Sequence, residues 1–153
     1  MDIFSGQTAS MEDYLEAIAL LGQVGNQVKV SEISKVLSVK KPSVTAALTK
    51  LRNMGLVSHK KYGEVKLTCQ GVKIARDVYR RHNILRSFLA DILGVDAAIA
   101  EKDACGMEHS LSKASLDRLA MFIKFIIKRV DSKGDWLKTF NNYYEYDNQG
   151  DMS

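Results

Sequence analysis

Cys105-Gly106-Met107-Glu108-His109 sets a thiol, a carboxylate and an imidazole at i, i+3 and i+4. At helical pitch the three project from one face, so fewer than two turns offer three metal-competent side chains. Asp13 and Glu16 repeat the i, i+3 spacing near the start of the chain, and His82 follows Arg80-Arg81 in a long amphipathic stretch. Facing helices can bring such groups together, which is how metal sites are built in bundle cores. Each group also has a plainer use. Acids such as Asp13 and Glu16 suit the first turn of a helix, where they complement its dipole. A lone histidine is commonly a surface or hydrogen-bonded residue. A free cysteine commonly packs as a small apolar group, and Cys69, at the end of a hairpin, is assigned to that class. Met107 is expected to pack. His59 has no ligand partner nearby in sequence.

A second constellation is basic. Residues 28–76 hold eleven Lys or Arg against two acids, a local net of +9. The rest of the chain carries eleven basic and sixteen acidic residues, a net of −5, so the overall +4 of the 153 residues hides a division. Within the block, Lys40, Lys41, Pro42, Ser43 and Thr45 fall at the start of a short helix, with Lys50 further along. A helix that enters a major groove needs short polar groups and cations at its N-terminal end. Ser43 and Thr45 can bond phosphate oxygens, and Lys40 and Lys41 can neutralise phosphates or reach base edges. Lys60 and Lys61, at a hairpin tip, suit backbone contact beside the groove. Taken singly, Ser43 and Thr45 are equally ordinary cap and first-turn residues.

The elements that must position these groups are legible from periodicity and punctuation. Ser10 with Asp13 three residues on predicts a capped helix over about 10–24. Val28–Val30 is a short β-branched stretch. Ser31 is expected to cap a second helix carrying Ile33, Val36 and Leu37. Pro42 suits the first turn of a third helix, whose apolar positions Val44, Ala47, Leu48 and Leu51 form one stripe before Asn53-Met54-Gly55 ends it. Residues 56–60 and 64–68 read as strands around Lys61-Tyr62-Gly63. Two short helices and a basic hairpin make a winged helix-turn-helix pattern. A long amphipathic helix follows from about Gly71 to Leu93, with apolar Val72, Ala75, Val78, Tyr79, Ile84, Leu85, Phe88, Leu89 and Ile92. Asp96 caps a helix over 97–109, and Ser112 caps one bearing Leu116, Leu119, Ala120, Ile123, Ile126 and Ile127. Residues 136–140 could add a short last helix, and the chain from Asn141 reads as poorly ordered.

The fold class is therefore mainly α. A winged helix-turn-helix DNA-binding domain is expected over 1–73, a helical domain over 74–145 and a disordered tail over 146–153. The 46% hydrophobic and 26% charged composition is ordinary for a globular chain. No apolar run approaches the roughly 20 residues that span a bilayer, and the first residues lack the basic and apolar blocks of a secretory signal. Two cysteines are too few for a disulfide scaffold, so a reduced, cytoplasmic setting without membrane attachment is expected. No Ser-His-Asp pattern, His-Glu-x-x-His pattern or glycine-rich phosphate loop is present, which argues against an enzyme or a small organic substrate.

These residues resemble the diphtheria-toxin-repressor and manganese-transport-regulator family of metal-dependent transcriptional repressors. The resemblance runs from about Ser10 to Ile127. It rests on residues 11–16 (Met-Glu-Asp-Tyr-Leu-Glu), the helix pair through Pro42-Ser43-Val44-Thr45, Val78-Tyr79-Arg80-Arg81-His82, and residues 103–112 around Cys105. It implies a homodimer on a palindromic DNA operator, with metal fixing the DNA-binding domains against a helical dimerisation domain. It places metal ligands at Asp13, Glu16, His82, Cys105, Glu108 and His109. Two branches of the family are mixed here. Asp13 and Glu16 match the manganese branch, whereas Cys105 matches the iron branch. Arg86 stands where the iron branch's ancillary site uses a carboxylate. Glu101 stands where that site has a histidine, and is a candidate extra ligand. Since the sequence stops near 150, the SH3-like third domain of longer members is expected to be absent.

Carboxylates suit Mn²⁺, and a thiolate moves preference toward Fe²⁺, so Fe²⁺ is favoured with Mn²⁺ next. Zn²⁺ or Co²⁺ would bind in vitro by the Irving–Williams order. The expected function is a metal-activated repressor, with metal-uptake genes as the targets that the resemblance implies. The alternative is a winged-helix regulator that responds to an organic ligand or a protein partner, its metal-like residues being structural.

Overall fold

The structure, a computed structural model, describes residues 10–23, 27–59, 63–130, 138–140 and 142–144. The chain divides into two compact units, Met1–Arg80 and Arg81–Ser153. The division falls inside a helix, α4, introduced below. Lys60 and Lys61, the cations expected at the hairpin tip, and the tail over 146–153 lie outside the described residues.

In the first unit α1 (Met11–Gln23), α2 (Val30–Val36) and α3 (Lys41–Asn53) precede β1 (Val57–His59) and β2 (Val65–Leu67). Reciprocal capping starts α1 as the Ser10/Asp13 spacing predicts: the Asp13 amide donates to Ser10 Oγ at 3.1 Å, and the Ser10 amide donates to the Asp13 carboxylate. The expected cap at Ser31 is not used. Helix α2 begins at Val30 with Lys29 as its cap, two residues before Ser31, and the Lys29 amide donates to Glu32 Oε2 at 2.9 Å. A carboxylate at the third helical position reaches back to that amide, and Ser31 becomes an interior residue. Val28 lies outside any helix or strand, and its carbonyl accepts from the Val65 amide at 2.9 Å, which ties the start of α2 to β2.

Helix α3 buries Val44, Ala47, Leu48 and Leu51, the stripe expected from sequence. It ends in a Schellman motif: Leu56 N–H donates to the Leu51 carbonyl, and Gly55 N–H donates to that of Arg52, both at 2.9 Å. The left-handed φ of +72° at Gly55 explains the glycine. With Leu15, Ile33, Leu37 and Val65, all at most 1% exposed, these side chains form the core of the unit. Full burial of each Leu, Ile or Val among them is worth about 1.5–3 kcal/mol. The strands pair antiparallel, Val57 opposite Leu67, Ser58 opposite Lys66 and His59 opposite Val65.

Helix α4 (Cys69–Ser87) starts two residues before the expected Gly71. Thr68 supplies its cap, Oγ1 accepting from the Gly71 amide at 3.2 Å while donating to the Gly55 carbonyl at 2.7 Å. Cys69 is thus the first helical residue and is exposed, not packed. The helix runs into a π turn over Phe88–Ile92.

In the second unit this segment is followed by α5 (Ala97–Met107) and α6 (Lys113–Val130). Both expected caps hold: Asp96 Oδ1 accepts from the Ala98 and Ile99 amides, and Ser112 Oγ accepts from the Ser115 amide. Leu85, Ala104 and Leu116 form the core, with Ile84, Leu89, Leu111 and Leu119 packed on it. Tyr79, Met107 and Ile127, expected to pack, are exposed. Residues 142–144 are helical where irregular chain was expected. Among the described residues no helix is long and apolar enough to cross a membrane.

Candidate metal centre and nucleic-acid interface

The ligand candidates of the second unit come from α4 and the end of α5. His82 is 7% exposed and Glu108 is fully buried. His82 Nδ1 lies 2.9 Å from Glu108 Oε2, and Nε2 lies 2.9 Å from Glu101 Oε1. The hydrogen bond to Glu108 raises the imidazole pKa above its ordinary value, burial opposes it, and the charges of Glu108 and Glu101 add to the rise. A carboxylate at each ring nitrogen describes an imidazolium that donates to both.

Residues 105, 108 and 109 do not share one helix as expected. Helix α5 ends at Met107, Glu108 is its C-terminal cap, and His109 lies in the following turn. Glu108 keeps helical angles (φ −59°, ψ −28°), and its amide donates to the Ala104 carbonyl at 3.0 Å, so its side chain still follows the α5 face. Arg81 Nη1 donates to the Glu108 carbonyl at 2.9 Å and holds this end in place. Cys105 is half-buried one turn earlier.

Glu108 Oε1 is buried and has no hydrogen bond among the described residues, although His109 Nε2 lies 3.2 Å away. A buried carboxylate oxygen without a donor is costly, and a cation would satisfy it. The oxygen, nitrogen and sulfur donors here therefore fit a divalent transition ion. In the first unit Asp13 and Glu16 lie on α1, each 7% exposed. Burial of two carboxylates goes beyond what first-turn acids require. Asp13 also has the capping role described above, so its plainer use is present as well.

Arg81 was given no role from sequence, and Glu101 was expected as an extra ligand. Arg81 gave only the signal of standing beside His82. Glu101 gave the signal of standing one turn before Cys105, but its actual partners are His82 and Arg86, the latter with Nε 2.9 Å from Oε2.

On the nucleic-acid side, Lys40, Lys41, Pro42, Ser43, Thr45 and Lys50 are all exposed, at the start and along the outer face of α3. Lys40 is the N-cap and Pro42 falls in the first turn. Thr45 Oγ1 donates to the Lys41 carbonyl at 3.1 Å, one turn back along the helix. The stripe that packs inward and the set that faces out are thus cleanly separated.

Two family models match. One, described as the N-terminal DNA-binding domain of iron-dependent repressors, covers residues 7–65. The other, described as the metal-binding and dimerisation domain of iron-dependent repressors, covers residues 68–136. The chain is 36% identical over 116 residues to an uncharacterised HTH-type transcriptional regulator of Methanocaldococcus jannaschii, covering 75% of this chain and 93% of that protein. It is 35% identical over 142 residues to the HTH-type transcriptional regulator MntR of Bacillus subtilis, covering 93% and 99%. Among solved structures it resembles the manganese regulator SloR, with a TM-score of 0.71 and 29% identity over 78% of this chain. It also resembles ScaR with bound Zn²⁺, with a TM-score of 0.66 and 30% identity over 76%. The match spans 55% of the length of each of these two solved chains.

Proposed function

Because the chain belongs to the family of iron-dependent repressors, metal-dependent regulators of transcription in which a DNA-binding domain precedes a metal-binding and dimerisation domain, we propose that it is a homodimeric repressor activated by Fe²⁺ or, failing that, Mn²⁺, and that it controls metal-uptake genes. The observation that carries the reading is Glu108, fully buried between the imidazoles of His82 and His109, with one carboxylate oxygen that has no hydrogen bond among the described residues.

The proposed ligands are Asp13, Glu16, His82, Cys105, Glu108 and His109. When bound, a divalent cation supplies the positive charge that lets buried carboxylates share one site. Were Asp13 and Glu16 to join the other proposed ligands on one ion, occupancy would be linked to one arrangement of the DNA-binding unit. The equilibrium shifts by the difference in affinity between arrangements. In a dimer the two α3 helices would have to sit about 34–36 Å apart, or a multiple, to enter successive major grooves of a palindromic operator. Lys40, Lys41, Ser43 and Thr45 would meet DNA at the start of α3, with Lys50, Lys60 and Lys61 on the backbone. The exposed Met121, Phe122 and Phe125 of α6 supply apolar surface for the dimer.

The relatives named above include a manganese regulator and a Zn²⁺-bound form. Cys105 is the reason to favour iron, since a thiolate is a softer ligand than Mn²⁺ prefers. Operator binding titrated against free Fe²⁺ and Mn²⁺ without oxygen tests the proposal. Binding of equal strength after complete chelation would sink it.

A second reading, response to an organic ligand, has one observation in its favour. A cleft of about 540 Å³ in the first unit is lined by Ile18, Leu20, Val28, Leu67, Val72 and Tyr79, among others. Stoichiometric metal in protein purified without chelator would decide against that reading.

A further inference from the structure

Glu101 stands one turn before Cys105 and two turns before Glu108, on the α5 face that carries the proposed ligands. Its geometry is not that of a ligand. Oε1 lies 2.9 Å from His82 Nε2, and Oε2 lies 2.9 Å from Arg86 Nε. Both oxygens are engaged, and a guanidinium beside one of them repels a further cation. His82 and Arg86 are i, i+4 on α4, so one face of that helix holds the same carboxylate at two points. Ala100 and Ala104, both fully buried, keep α5 slim on this side.

The consequence falls on His82. Both ring nitrogens face a carboxylate at 2.9 Å, Nε2 that of Glu101 and Nδ1 that of Glu108, but only Glu108 belongs to the proposed ligand set, since both oxygens of Glu101 are engaged. The ring nitrogen on the side of the proposed ligands is therefore Nδ1, and Nε2 is the one that Glu101 holds by hydrogen bond. Metal-binding histidines are commonly oriented in this way by a carboxylate on the other nitrogen. We propose that Glu101, clamped by Arg86, is a positioning residue that fixes the Nε2–H tautomer of His82 and aims Nδ1 at the metal. The inference rests on the proposed role of His82 as a ligand.

The test uses the full chain and Zn²⁺. Affinity and stoichiometry are measured by calorimetry against a competing chelator, and His82 nitrogen shifts by ¹⁵N NMR on the Zn²⁺-loaded protein. Glu101→Ala should weaken Zn²⁺ binding about 10–100-fold with stoichiometry unchanged. Glu101→Gln, whose amide oxygen still accepts from Nε2–H, should recover most of that loss. Arg86→Ala should weaken binding less than Glu101→Ala does. The spectra should show a protonated Nε2 and a metal-bound Nδ1 in the parent protein and in Glu101→Gln. Four results would overturn the inference: unchanged affinity in Glu101→Ala, no recovery in Glu101→Gln, loss of a whole metal equivalent, or metal on Nε2. His82→Ala separates the two levels. If it leaves Zn²⁺ binding intact, the ligand set itself is wrong. If it weakens binding while Glu101→Ala does not, only the role given to Glu101 fails.

Discussion

His82 and Glu108, 26 residues apart in sequence, meet at 2.9 Å between Nδ1 and Oε2, one side chain almost buried and the other completely so. The contact joins α4 to the end of α5 and sets a titratable pair where solvent does not reach. Among the described residues the second oxygen of Glu108 has no hydrogen bond, and that gap is what a cation would fill.

Removing the centre of this arrangement should remove the metal response. Glu108→Ala and His109→Ala are each expected to weaken Mn²⁺ or Fe²⁺ binding by more than the roughly 10–100-fold typical of groups that only orient a ligand. Operator binding should become insensitive to metal in both variants. Fluorescence anisotropy of labelled operator DNA across a metal titration measures it. A variant that keeps the metal response places the site elsewhere.

Proton and metal should compete at His82. Its ordinary value is 6.5, and the hydrogen bond with Glu108 raises it in the folded protein. In metal-free protein the protonated ring contributes stability that is complete below 6.5 and lost as pH rises through the higher folded value. Metal affinity should run the other way, rising with pH until that folded value is passed and then levelling, because Nδ1 must lose its proton first. Thermal midpoints of chelated protein and Mn²⁺ affinities, both taken across pH, check the two signs. His82→Gln should flatten both profiles.

The exposed start of α3 predicts how DNA binding should fail. Lys41→Ala should weaken binding to operator and unrelated DNA alike, and lower the slope of log affinity against log salt by about 1. Ser43→Ala removes a short polar group where base edges would lie, and should cost more on operator than on unrelated DNA. Filter binding at several salt concentrations distinguishes them. Equal losses on both DNAs for Ser43→Ala would make it a backbone contact.

Two glycines should answer oppositely to the same substitution. A Cβ on Gly71 would lie 2.1 Å from the Leu56 carbonyl oxygen, and a backbone atom cannot swing aside. Gly71→Ala should therefore destabilise by about 1–3 kcal/mol, the usual cost of overpacking. A Cβ on Gly106 meets nothing within 4 Å, and the residue lies in the last turn of α5, next to its final residue Met107. Gly106→Ala should stabilise by about 0.5–1 kcal/mol through helix propensity. Urea denaturation of the metal-free variants reads both signs.

What the sequence by itself determined is what depends on neighbours a few residues apart. The buried stripe of α3, the Ser10–Asp13 reciprocal cap, the caps at Asp96 and Ser112, the glycine that ends α3 and the antiparallel hairpin all follow from spacing and turn chemistry. The cap of α2 was misread because two local solutions compete there, a serine hydroxyl and the Glu32 carboxylate, and only the packed chain selects one. The types of the candidate ligands were legible for the same local reason. Their geometry was not. Which nitrogen of His82 faces Glu108, that α5 stops at Met107, that Glu101 pairs with Arg86 and His82, and that Gly71 has a carbonyl against it are matters of which helix face meets which. Tertiary packing decides those contacts, since it brings together groups 15 to 26 residues apart whose separation along the chain carries no information about their separation in space.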